Sequence, residues 1–338
     1  MQGKVIGLVY EITGNPYFGT DQNKSEDRIS EFPKPQEVNQ IARTLKELGF
    51  GVEIIDGPQG LLERSADIRQ RCSLLFNKSI GFRGLERKIA VPAVCQLYNL
   101  PLLGSTAYGM TLARHKYHAN RLLAGFGIRV PNSILAYEGQ YPNGEGLAHF
   151  RLPVIVKPNH ESDSLGIDED AVCGDSEAVK RRVRHVHERF HQAAVVEEFI
   201  GGEEWSVAVL GNRPDTKALG CAGVLKNGKR ISGSLQTRLD AIGDTITYYM
   251  PTFGPAVVEA MECAVRVHEL FGLRDYSRCD FRLDENGAPF CMEVSTHPDL
   301  DSESSFAAAA MQSISCYREV IGEIVRTAMA REPVLSGD

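Results

Sequence analysis

Short apolar runs alternate with stretches of helical periodicity at the start of the chain. KVIGLV, GVEII, SLLFN and LPLLG are the apolar runs, and each predicts a strand. Helices are predicted from Pro35 to Gly49, around 61–70 and around 86–99, the first with Pro near its start and Gly just past its end. Strands that alternate with helices favour an α/β architecture, so we predict a small doubly wound domain here.

After this unit the pattern changes from alternation to pairs of strands with fewer helices. The predicted elements are, in order, a helix at 107–125, a strand in LPVIVKP, a charged helix at 175–191, two strands around the Gly-Gly turn of AAVVEEFIGGEEWSVAVLG, strands near 219–225 and 245–250, a helix near 255–271, a strand hairpin at 278–295 and a C-terminal helix. The segment 12–34 is predicted to be a long loop, and loops of that length are often functional. These elements follow the α/β unit along the chain.

The hairpin RCDFRLDENGAPFCMEVS carries two acids on strands that are otherwise largely apolar. Its Asn286-Gly287 step predicts a two-residue type I′ turn, since both central residues of that turn need φ > 0. This register places Asp280 opposite Glu293 and Arg278 opposite Ser295. Alternation then predicts a core face with Cys279, Phe281, Leu283, Phe290, Met292 and Val294, and a polar face with Arg278, Asp280, Arg282, Cys291, Glu293 and Ser295.

Two carboxylates that face each other on a bare sheet repel, so we expect a positive charge between Asp280 and Glu293. A hard divalent ion such as Mg²⁺ suits a set of carboxylate oxygens. The alternative is an exposed strand pair whose acids are neutralised by Arg278 and Arg282. This stretch by itself leaves both interpretations open.

Composition narrows the class of protein. The 338 residues are 43% apolar and 24% charged, which is typical of a soluble globular protein of two or three domains. The net charge of −7 argues against nucleic acid as a main partner. No apolar run is long enough to span a bilayer, MQGKVIGLVY does not read as a signal peptide, and the eight cysteines form no CxxC pair. These features predict a cytoplasmic protein with reduced thiols and no membrane partner.

Two stretches could bind a nucleotide. In LPVIVKPNHESDSLGI, Lys157 ends a buried strand, and a loop of small residues that includes Ser164 follows it. The lysine and the free N–H groups of such a loop are suited to bind phosphate. In VVEEFIGGEEW, Glu197 and Glu198 follow an apolar strand and Glu204 lies just past a turn, where carboxylates suit ribose hydroxyls. Each stretch has a plainer interpretation, an ordinary hairpin with a lysine that reaches solvent and a tight turn with solvated acids.

HERFH matches the HExxH pattern of zinc peptidases through His187 and His191. The helix predicted here argues against zinc. Its buried stripe is Val179, Val183, Val186 and Phe190, while its neighbouring row is Lys180, Arg184, His187 and His191. A row so rich in cations is a poor site for Zn²⁺. No GxGxxG motif occurs between a predicted strand and a predicted helix, so the sequence supports a dinucleotide-binding dehydrogenase even less than a zinc peptidase.

Taken together, these stretches resemble the ATP-grasp superfamily, and specifically its D-alanine–D-alanine ligase-like group. The matching segments are 74–105, RHKYHANRLL, PVIVKP, EEFIGGEEWSVAVLG and 278–300, in the family's order and spacing. The resemblance implies an α/β and α+β protein, with an ATP-grasp fold in which an N-terminal doubly wound (pre-ATP-grasp) domain is followed by two α+β domains. It divides the chain into an N-terminal α/β domain at 1–115, a central ATP-grasp domain at 116–196 and a C-terminal ATP-grasp domain at 197–332 that carries the metal site.

The resemblance also implies roles for individual residues. Those matching nucleotide-binding positions are Lys116, Lys157 and Ser164 at the phosphates, and Glu197, Glu198, Phe199, Ile200 and Glu204 at the adenine and ribose. Asp280 and Glu293 match the magnesium carboxylates, and Arg278 matches the arginine that steadies the reacting phosphoryl group. The implied chemistry uses ATP and two Mg²⁺ ions, with Mn²⁺ as a substitute, to join a carboxylate to an amine through an acyl phosphate. Family members are often homodimers.

The substrate side departs from the family. Ser295 stands where a third metal ligand is usually Asn, Asp163 lies in the phosphate loop, and the usual Lys-Tyr pair is absent, with Arg238 the best candidate to replace its lysine. YEITGNPYFG replaces a glycine-rich turn that carries a substrate-orienting Glu, which leaves Glu11 and Tyr17 as candidate contacts. Ser304 matches a position that contacts a substrate carboxylate.

We therefore expect an amino-acid or peptide ligase that is not an efficient D-alanine–D-alanine ligase. The alternatives are an ATP-grasp enzyme that activates a non-carboxylate oxygen, a zinc hydrolase at HERFH, and a non-catalytic nucleotide-binding protein.

Overall fold

The computed structural model describes residues 3–12, 32–82, 84–142, 144–162, 164–231 and 245–331. Three sheets organise these residues, each with helices packed against it. All eight cysteines are free. Within the described ranges, no helix combines the length and the hydropathy that a membrane crossing requires.

The first sheet is parallel, with strand order β2-β1-β3-β4. Its strands are β1 (Val5–Tyr10), β2 (Gly51–Asp56), β3 (Leu74–Asn77) and β4 (Leu102–Leu103). The helices between them are α1 (Pro35–Glu47), α2 (Gly57–Glu63), α3 (Ser65–Arg71) and α4 (Ala90–Leu97). This confirms the predicted doubly wound unit. The helix predicted at 61–70 is instead divided at Arg64, where the backbone leaves helical geometry.

The second sheet is antiparallel, with order β5-β8-β6-β7. Its strands are β5 (Ser133–Ala136), β6 (Val154–Pro158), β7 (Val172–Cys173) and β8 (Ala194–Glu198). The charged helix α8 (Ser176–Phe190) begins at Asp175, whose side chain accepts a hydrogen bond from the Ala178 N–H. The predicted valine and phenylalanine stripe of α8 is buried in the core of this sheet. A four-residue helix, α7 (Gly144–Leu147), also lies in this unit.

The third sheet is antiparallel, with order β11-β10-β9-β13-β14 and with β12 paired to β10. Its strands are β9 (Glu204–Leu210), β10 (Lys217–Lys226), β11 (Lys229–Arg230), β12 (Ile246–Tyr249), β13 (Tyr276–Leu283) and β14 (Pro289–Ser295). Helix α9 (Pro255–Leu270) packs on one face through Ala260, Ala264 and Val267. The parallel first sheet and the two antiparallel sheets together confirm the predicted fold class.

The helix predicted at 107–125 is two helices, α5 (Ala107–Arg114) and α6 (Lys116–Gly125). His115 has an extended ψ of 85° and separates them. The break exposes the first N–H of α6, and the Lys116 N–H donates to the Asn159 carbonyl at 3.1 Å. Lys116 is therefore joined to the segment that follows β6.

The end of the chain returns to the first sheet through α10 (Ser305–Ala310) and α11 (Tyr317–Arg331). Phe306, Ile321 and Ile324 share one buried core with Ile6 and Leu8 of β1. The predicted domain limits remain predictions. The limit at 115/116 falls between α5 and α6, and the limit at 196/197 falls inside β8.

The hairpin between β13 and β14 closes with a different turn from the predicted one. The Asp284 N–H donates to the Ala288 carbonyl at 2.9 Å, so the loop has three residues and ends at Gly287, whose φ is 79°. This is the geometry of a type I turn followed by a left-handed residue. The predicted type I′ turn is wrong here, and positive φ at both residues of an Asn-Gly step occurs instead at Asn227-Gly228.

The register changes by one residue within this hairpin, which corrects the predicted faces. Phe281 lies opposite Cys291 near the turn, but past an irregularity Asp280 lies opposite Glu293 and Arg278 opposite Ser295. The two predicted cross-strand pairs are therefore confirmed. A one-residue shift exchanges the faces of a strand. For that reason Cys291 is buried in the core, whereas Phe290 and Met292, predicted for the core, are partly exposed.

Candidate active site

Asp280 is surrounded by donors on its own and the neighbouring strand. The Arg278 Nε donates to Asp280 Oδ1 at 2.8 Å and the Arg278 Nη2 to Oδ2 at 2.8 Å. Ser206 lies opposite Asp280 on β9, and its hydroxyl donates to Oδ1 at 2.7 Å. Arg278 can reach Asp280 because residues two apart on a strand share a face. Arg278 therefore neutralises Asp280, as the plainer interpretation of the hairpin predicts.

Glu293 has its own cation. The Lys116 Nζ lies 3.5 Å from Glu293 Oε1, and it also donates to the Glu161 carbonyl at 2.6 Å. Burial by itself raises the pKa of the Glu293 carboxyl, but the positive charges of Lys116, Lys157 and Arg278 outweigh it, so the pKa lies below its ordinary value. Glu293 is therefore held as a carboxylate at neutral pH.

Arg282 does not neutralise the hairpin acids, which corrects half of the plainer interpretation. Its Nη2 donates to Glu204 Oε2 at 3.2 Å and its Nη1 to the Ile200 carbonyl at 3.1 Å. The guanidinium carbon lies 5.6 Å from the centre of the Phe199 ring. Burial raises the pKa of the Glu204 carboxyl, an effect that Arg282 partly offsets. Three residues predicted to meet adenine and ribose thus gather around one arginine.

Lys157 and Glu197 form a buried ion pair, with 2.7 Å between Lys157 Nζ and Glu197 Oε2. The Asn120 Nδ2 donates to the other carboxylate oxygen at 2.9 Å. The lysine lies on β6 and the acid on the adjacent β8, so the antiparallel pairing brings them together. The structure therefore pairs a lysine that is predicted to bind phosphate with a glutamate that is predicted to lie at the adenine and ribose.

Glu198 ends β8, and Ser164 lies in the loop after β6. Glu198 is partly exposed at the end of β8, where its N–H donates to the Asn132 carbonyl at 3.0 Å. The Phe199 N–H donates to the Pro153 carbonyl at 3.2 Å, so it is engaged within the protein. Ser164 has a φ of 58°, and its carbonyl accepts from the Ile167 N–H at 3.0 Å in a turn of the loop after β6.

Glu161 anchors that loop, although no sequence motif points to it. Its carboxylate accepts from the Arg87 Nη2 at 2.9 Å and from the Gln192 Nε2 at 2.8 Å, and it is buried. The Lys88 Nζ donates to the Ser162 hydroxyl at 3.0 Å in the same loop. Arg87 and Lys88 come from the first unit, so two cations that sequence reasoning missed hold that unit against the loop. Arg87 and Lys88 belong to no periodic sequence pattern that would predict a contact with the loop after β6. Only the fold brings these two cations to that loop.

Two candidate substrate residues already have partners inside the protein. Glu11 is buried and accepts hydrogen bonds from the Ser79 hydroxyl, from the Gly81 N–H at 2.8 Å and from the Ile80 N–H at 3.1 Å. Burial raises the pKa of the Glu11 carboxyl, and these hydrogen bonds oppose that shift. Ser304 caps α10, since its hydroxyl accepts from the Ala307 N–H at 3.2 Å and donates to the Asp301 carbonyl at 2.8 Å.

The remaining site predictions stay predictions. Ser295 is partly exposed opposite Arg278, beside the two acids. Tyr17, Asp163 and Arg238 lie outside the described residues.

The HERFH histidines do not form a zinc-peptidase pair. His187 is buried, although an outer face of the helix is predicted for it, and its Nε2 donates to the Ala136 carbonyl at 3.1 Å. His191 is exposed and has a left-handed φ of 50°, because it ends the helix. The two side chains therefore do not project from successive turns of one helix, as that zinc site requires.

The fold and the site can now be compared with known proteins. The D-ala D-ala ligase C-terminus family matches residues 122–326, which is more than half of the chain. The parallel sheet followed by two antiparallel sheets is the D-alanine–D-alanine ligase fold of the ATP-grasp class. This chain belongs to the D-alanine–D-alanine ligase family.

Individual relatives support that placement. An uncharacterized protein, y4sG of Sinorhizobium fredii, is 27% identical over 330 residues, covering 94% of this chain and 92% of its own. The D-alanine–D-alanine ligase of Halalkalibacterium halodurans is 28% identical over 269 residues, covering 75% of this chain and 81% of its own. Among them, the relative matched over the greater length has no assigned activity.

Solved structures show the same fold. A D-alanine–D-alanine ligase from Bacillus anthracis, complexed with ATP, superposes with a TM-score of 0.74 at 17% identity over 97% of this chain and 98% of its own. The VanG D-Ala:D-Ser ligase of Enterococcus faecalis superposes with a TM-score of 0.72 at 18% identity over 97% of this chain and 100% of its own.

Proposed function

We propose that this protein is an ATP-dependent ligase that joins a carboxylate to an amine through an acyl phosphate, with release of ADP and phosphate. The observation that carries the proposal is the pairing of Asp280 with Glu293 beside Arg278 and Lys116, in a fold of this family. Two acids held as opposite neighbours, each with a cation, are suited to bind a polyanion together with metal ions.

The donor set fits Mg²⁺. Asp280, Glu293 and Ser295 offer only oxygen atoms, which hard divalent ions prefer, and Mn²⁺ accepts similar ligands. Glu293 is kept charged by the surrounding cations, so it is available as a ligand. When bound, such ions neutralise phosphate charge and draw electrons from the transferred phosphoryl group. The family implies two of them.

The chain's own cations would hold the nucleotide. In this proposal Lys116 and Lys157 bind phosphate oxygens, and Lys157 is shared between the phosphate and Glu197. Glu204 then accepts hydrogen bonds from ribose hydroxyls, Glu197 orients Lys157 from inside the protein, and Phe199 with Ile200 covers the adenine. Cations that neutralise charge as it develops lower the barrier to phosphoryl transfer.

The reaction balances without any redox partner. An oxygen of the substrate carboxylate attacks the γ-phosphorus, and the bond to the β–γ bridging oxygen breaks to leave ADP. The amine then attacks the acyl carbon, a proton leaves the nitrogen, and phosphate departs with the electrons of the carbon–oxygen bond. Arg278 would stabilise the transferred group, because its guanidinium lies beside Asp280 with fixed geometry.

The substrates we propose are an amino acid or peptide carboxylate and an amine, in a combination other than D-alanine with itself. This rests on Asp163 in the phosphate loop, on Ser295, and on the YEITGNPYFG segment that holds Glu11 and Tyr17. Arg238 and Ser304 complete the proposed contacts. A cytoplasmic location and a homodimer also remain proposals that the family suggests.

The test is a product analysis with ATP, Mg²⁺ and a panel of amino acids and dipeptides. We expect ADP and phosphate in equal amounts, formed only when a carboxylate substrate and an amine are present. AMP with pyrophosphate would indicate adenylation and overturn the mechanism. ADP release with substrates that lack a carboxylate would support activation of another oxygen instead.

A further inference from the structure

Three side chains from three separate segments meet next to Lys116. Glu86 precedes the 3₁₀ turn Arg87–Ile89, His115 separates α5 from α6, and His160 follows β6. One ligand atom from each of the three side chains can be chosen so that all lie within 4.8 Å of one another. None of the three has a role in the function proposed above.

The protons within this cluster can be placed from its hydrogen bonds. The His160 backbone N–H donates to Gln192 Oε1 at 2.8 Å, which sets the orientation of that amide. The His160 Nδ1 lies 3.3 Å from the same oxygen and therefore carries a proton. The His160 Nε2 then has no proton and carries a lone pair. This nitrogen lies 3.0 Å from His115 Nδ1 and 3.3 Å from the Asn159 amide nitrogen. The other nitrogen of His115 contacts the Glu86 carboxylate.

This arrangement resembles the surroundings of metal-binding histidines. A ligating imidazole usually donates its second N–H to an oxygen that fixes the ring, as Gln192 does for His160. Tetrahedral ligands at metal bonds of about 2.0–2.1 Å lie about 3.3 Å apart, close to the 3.0 Å between the two facing ring nitrogens. The Glu86 side chain is 36% exposed, so it can turn from the other nitrogen of His115 towards an ion held between the two rings.

We propose that Glu86, His115 and His160 form a binding site for a transition-metal ion of the Zn²⁺ type, with water as the fourth ligand. Two imidazoles and a carboxylate suit such ions better than Mg²⁺, which prefers oxygen. The site is distinct from the oxygen-only set at Asp280 and Glu293.

The nearby positive charges do not exclude a cation. Arg87 and Arg114 lie close to the cluster, but both face the buried Glu161 carboxylate, at 2.9 Å and 3.6 Å respectively. The Glu161 carboxylate therefore offsets part of the positive charge of these two arginines. The HERFH helix differs, because its surface row carries several cations in a line.

A bound ion would link the first unit to the loop after β6. Two contacts already join the same segments, from Lys88 to Ser162 and from Arg87 to Glu161. A metal held by Glu86 from one side and His160 from the other adds a third contact. It would also fix His115, the residue directly before Lys116. The ion would therefore stabilise this interface.

The experiment uses the full-length protein, freed of metals by a chelator and then titrated with Zn²⁺ and with Co²⁺ without nucleotide. We expect one ion per chain and a Co²⁺ visible spectrum typical of low coordination number with nitrogen ligands. Glu86→Gln and His160→Gln should each weaken binding at least about 10-fold, on the scale of altered metal surroundings. His185→Ala, an exposed histidine on α8, is the matched control and should bind as the parent does.

Asp280→Asn separates this site from the nucleotide site and should leave the titration unchanged. Failure to bind either ion saturably would overturn the proposal, as would full-strength binding by Glu86→Gln or loss of binding in Asp280→Asn. Should His160→Gln not fold, Glu86→Gln still decides, because that side chain is partly exposed. The assay measures no turnover, so its failure would leave the ligase proposal untouched.

Discussion

Lys157 and Glu197 form a 2.7 Å ion pair in which the side chains retain only 7% and 0% of their exposed surface. Two strands of the second sheet hold the pair, and Asn120 satisfies the second carboxylate oxygen. A buried charge that loses its partner is strongly unfavourable, since no water replaces the lost interaction. In the proposed function the same lysine binds a phosphate, so the pair links folding to nucleotide binding.

The first prediction concerns this pair. Lys157→Met should lower the free energy of unfolding by about 3–5 kcal/mol, because it leaves Glu197 buried without its cation. Urea unfolding followed by circular dichroism measures the change. Arg151 and Glu285 are the matched control, since their ion pair at 2.9 Å keeps 77% and 63% of each side chain exposed. Arg151→Met should leave stability unchanged within error. Equal effects of the two substitutions would contradict the argument.

The second prediction concerns the hairpin acids. Asp280→Asn and Glu293→Gln should each reduce kcat by roughly 10²–10³-fold, the scale of lost electrostatic groups in active sites, while the fold survives. Both side chains are partly exposed on the polar face, so the amides leave the core intact. Steady-state ADP release at saturating Mg²⁺ measures the loss. Glu285→Gln at the tip of the same hairpin is the control. Near-parental turnover by both variants would show that the acids do not bind the metal.

The third prediction concerns substrate choice. D-Alanine alone should not give the highest kcat/KM in a panel of amino acids and dipeptides. Asp163 adds a negative charge to the phosphate loop, and the family's glycine-rich turn is replaced by YEITGNPYFG. Sites that leave polar groups unpaired can discriminate by roughly 10⁴-fold, so coupled ADP assays should resolve the preference clearly. D-Alanine alone as the best substrate would mean that these departures do not alter specificity.

The fourth prediction concerns pH. Burial lowers the pKa of His268 from 6.5 to about 4, and its Nδ1 lies 2.8 Å from the Ser277 hydroxyl. The unfolded chain therefore binds a proton that the folded chain excludes between these two values. The contribution of His268 to the free energy of unfolding is fully present above pH 6.5. It should fall as the pH decreases towards 4, by up to about 1.4 kcal/mol per pH unit.

Urea midpoints at several pH values between 4 and 7.5 measure this slope. His268→Gln should be less stable at neutral pH but should show a flatter dependence on pH in the acid range. An unchanged slope in that variant would mean that other groups cause the acid sensitivity.

Much of the architecture could be predicted from the sequence because it depends on local periodicity. Apolar runs separated by helical stretches determined the parallel first sheet, and the stripe from Val179 to Phe190 determined which face of α8 is buried. These features follow from neighbours a few residues apart, so the sequence alone determined them.

Only the tertiary structure decided which partner each charged side chain takes. Arg282 pairs with Glu204 and not with the hairpin acids, Lys157 pairs with Glu197, and Glu161 collects donors from distant segments. The meeting of Glu86, His115 and His160 has the same origin. Charges act over several ångströms between segments that are far apart in the chain, and no local pattern records which of them the fold brings together.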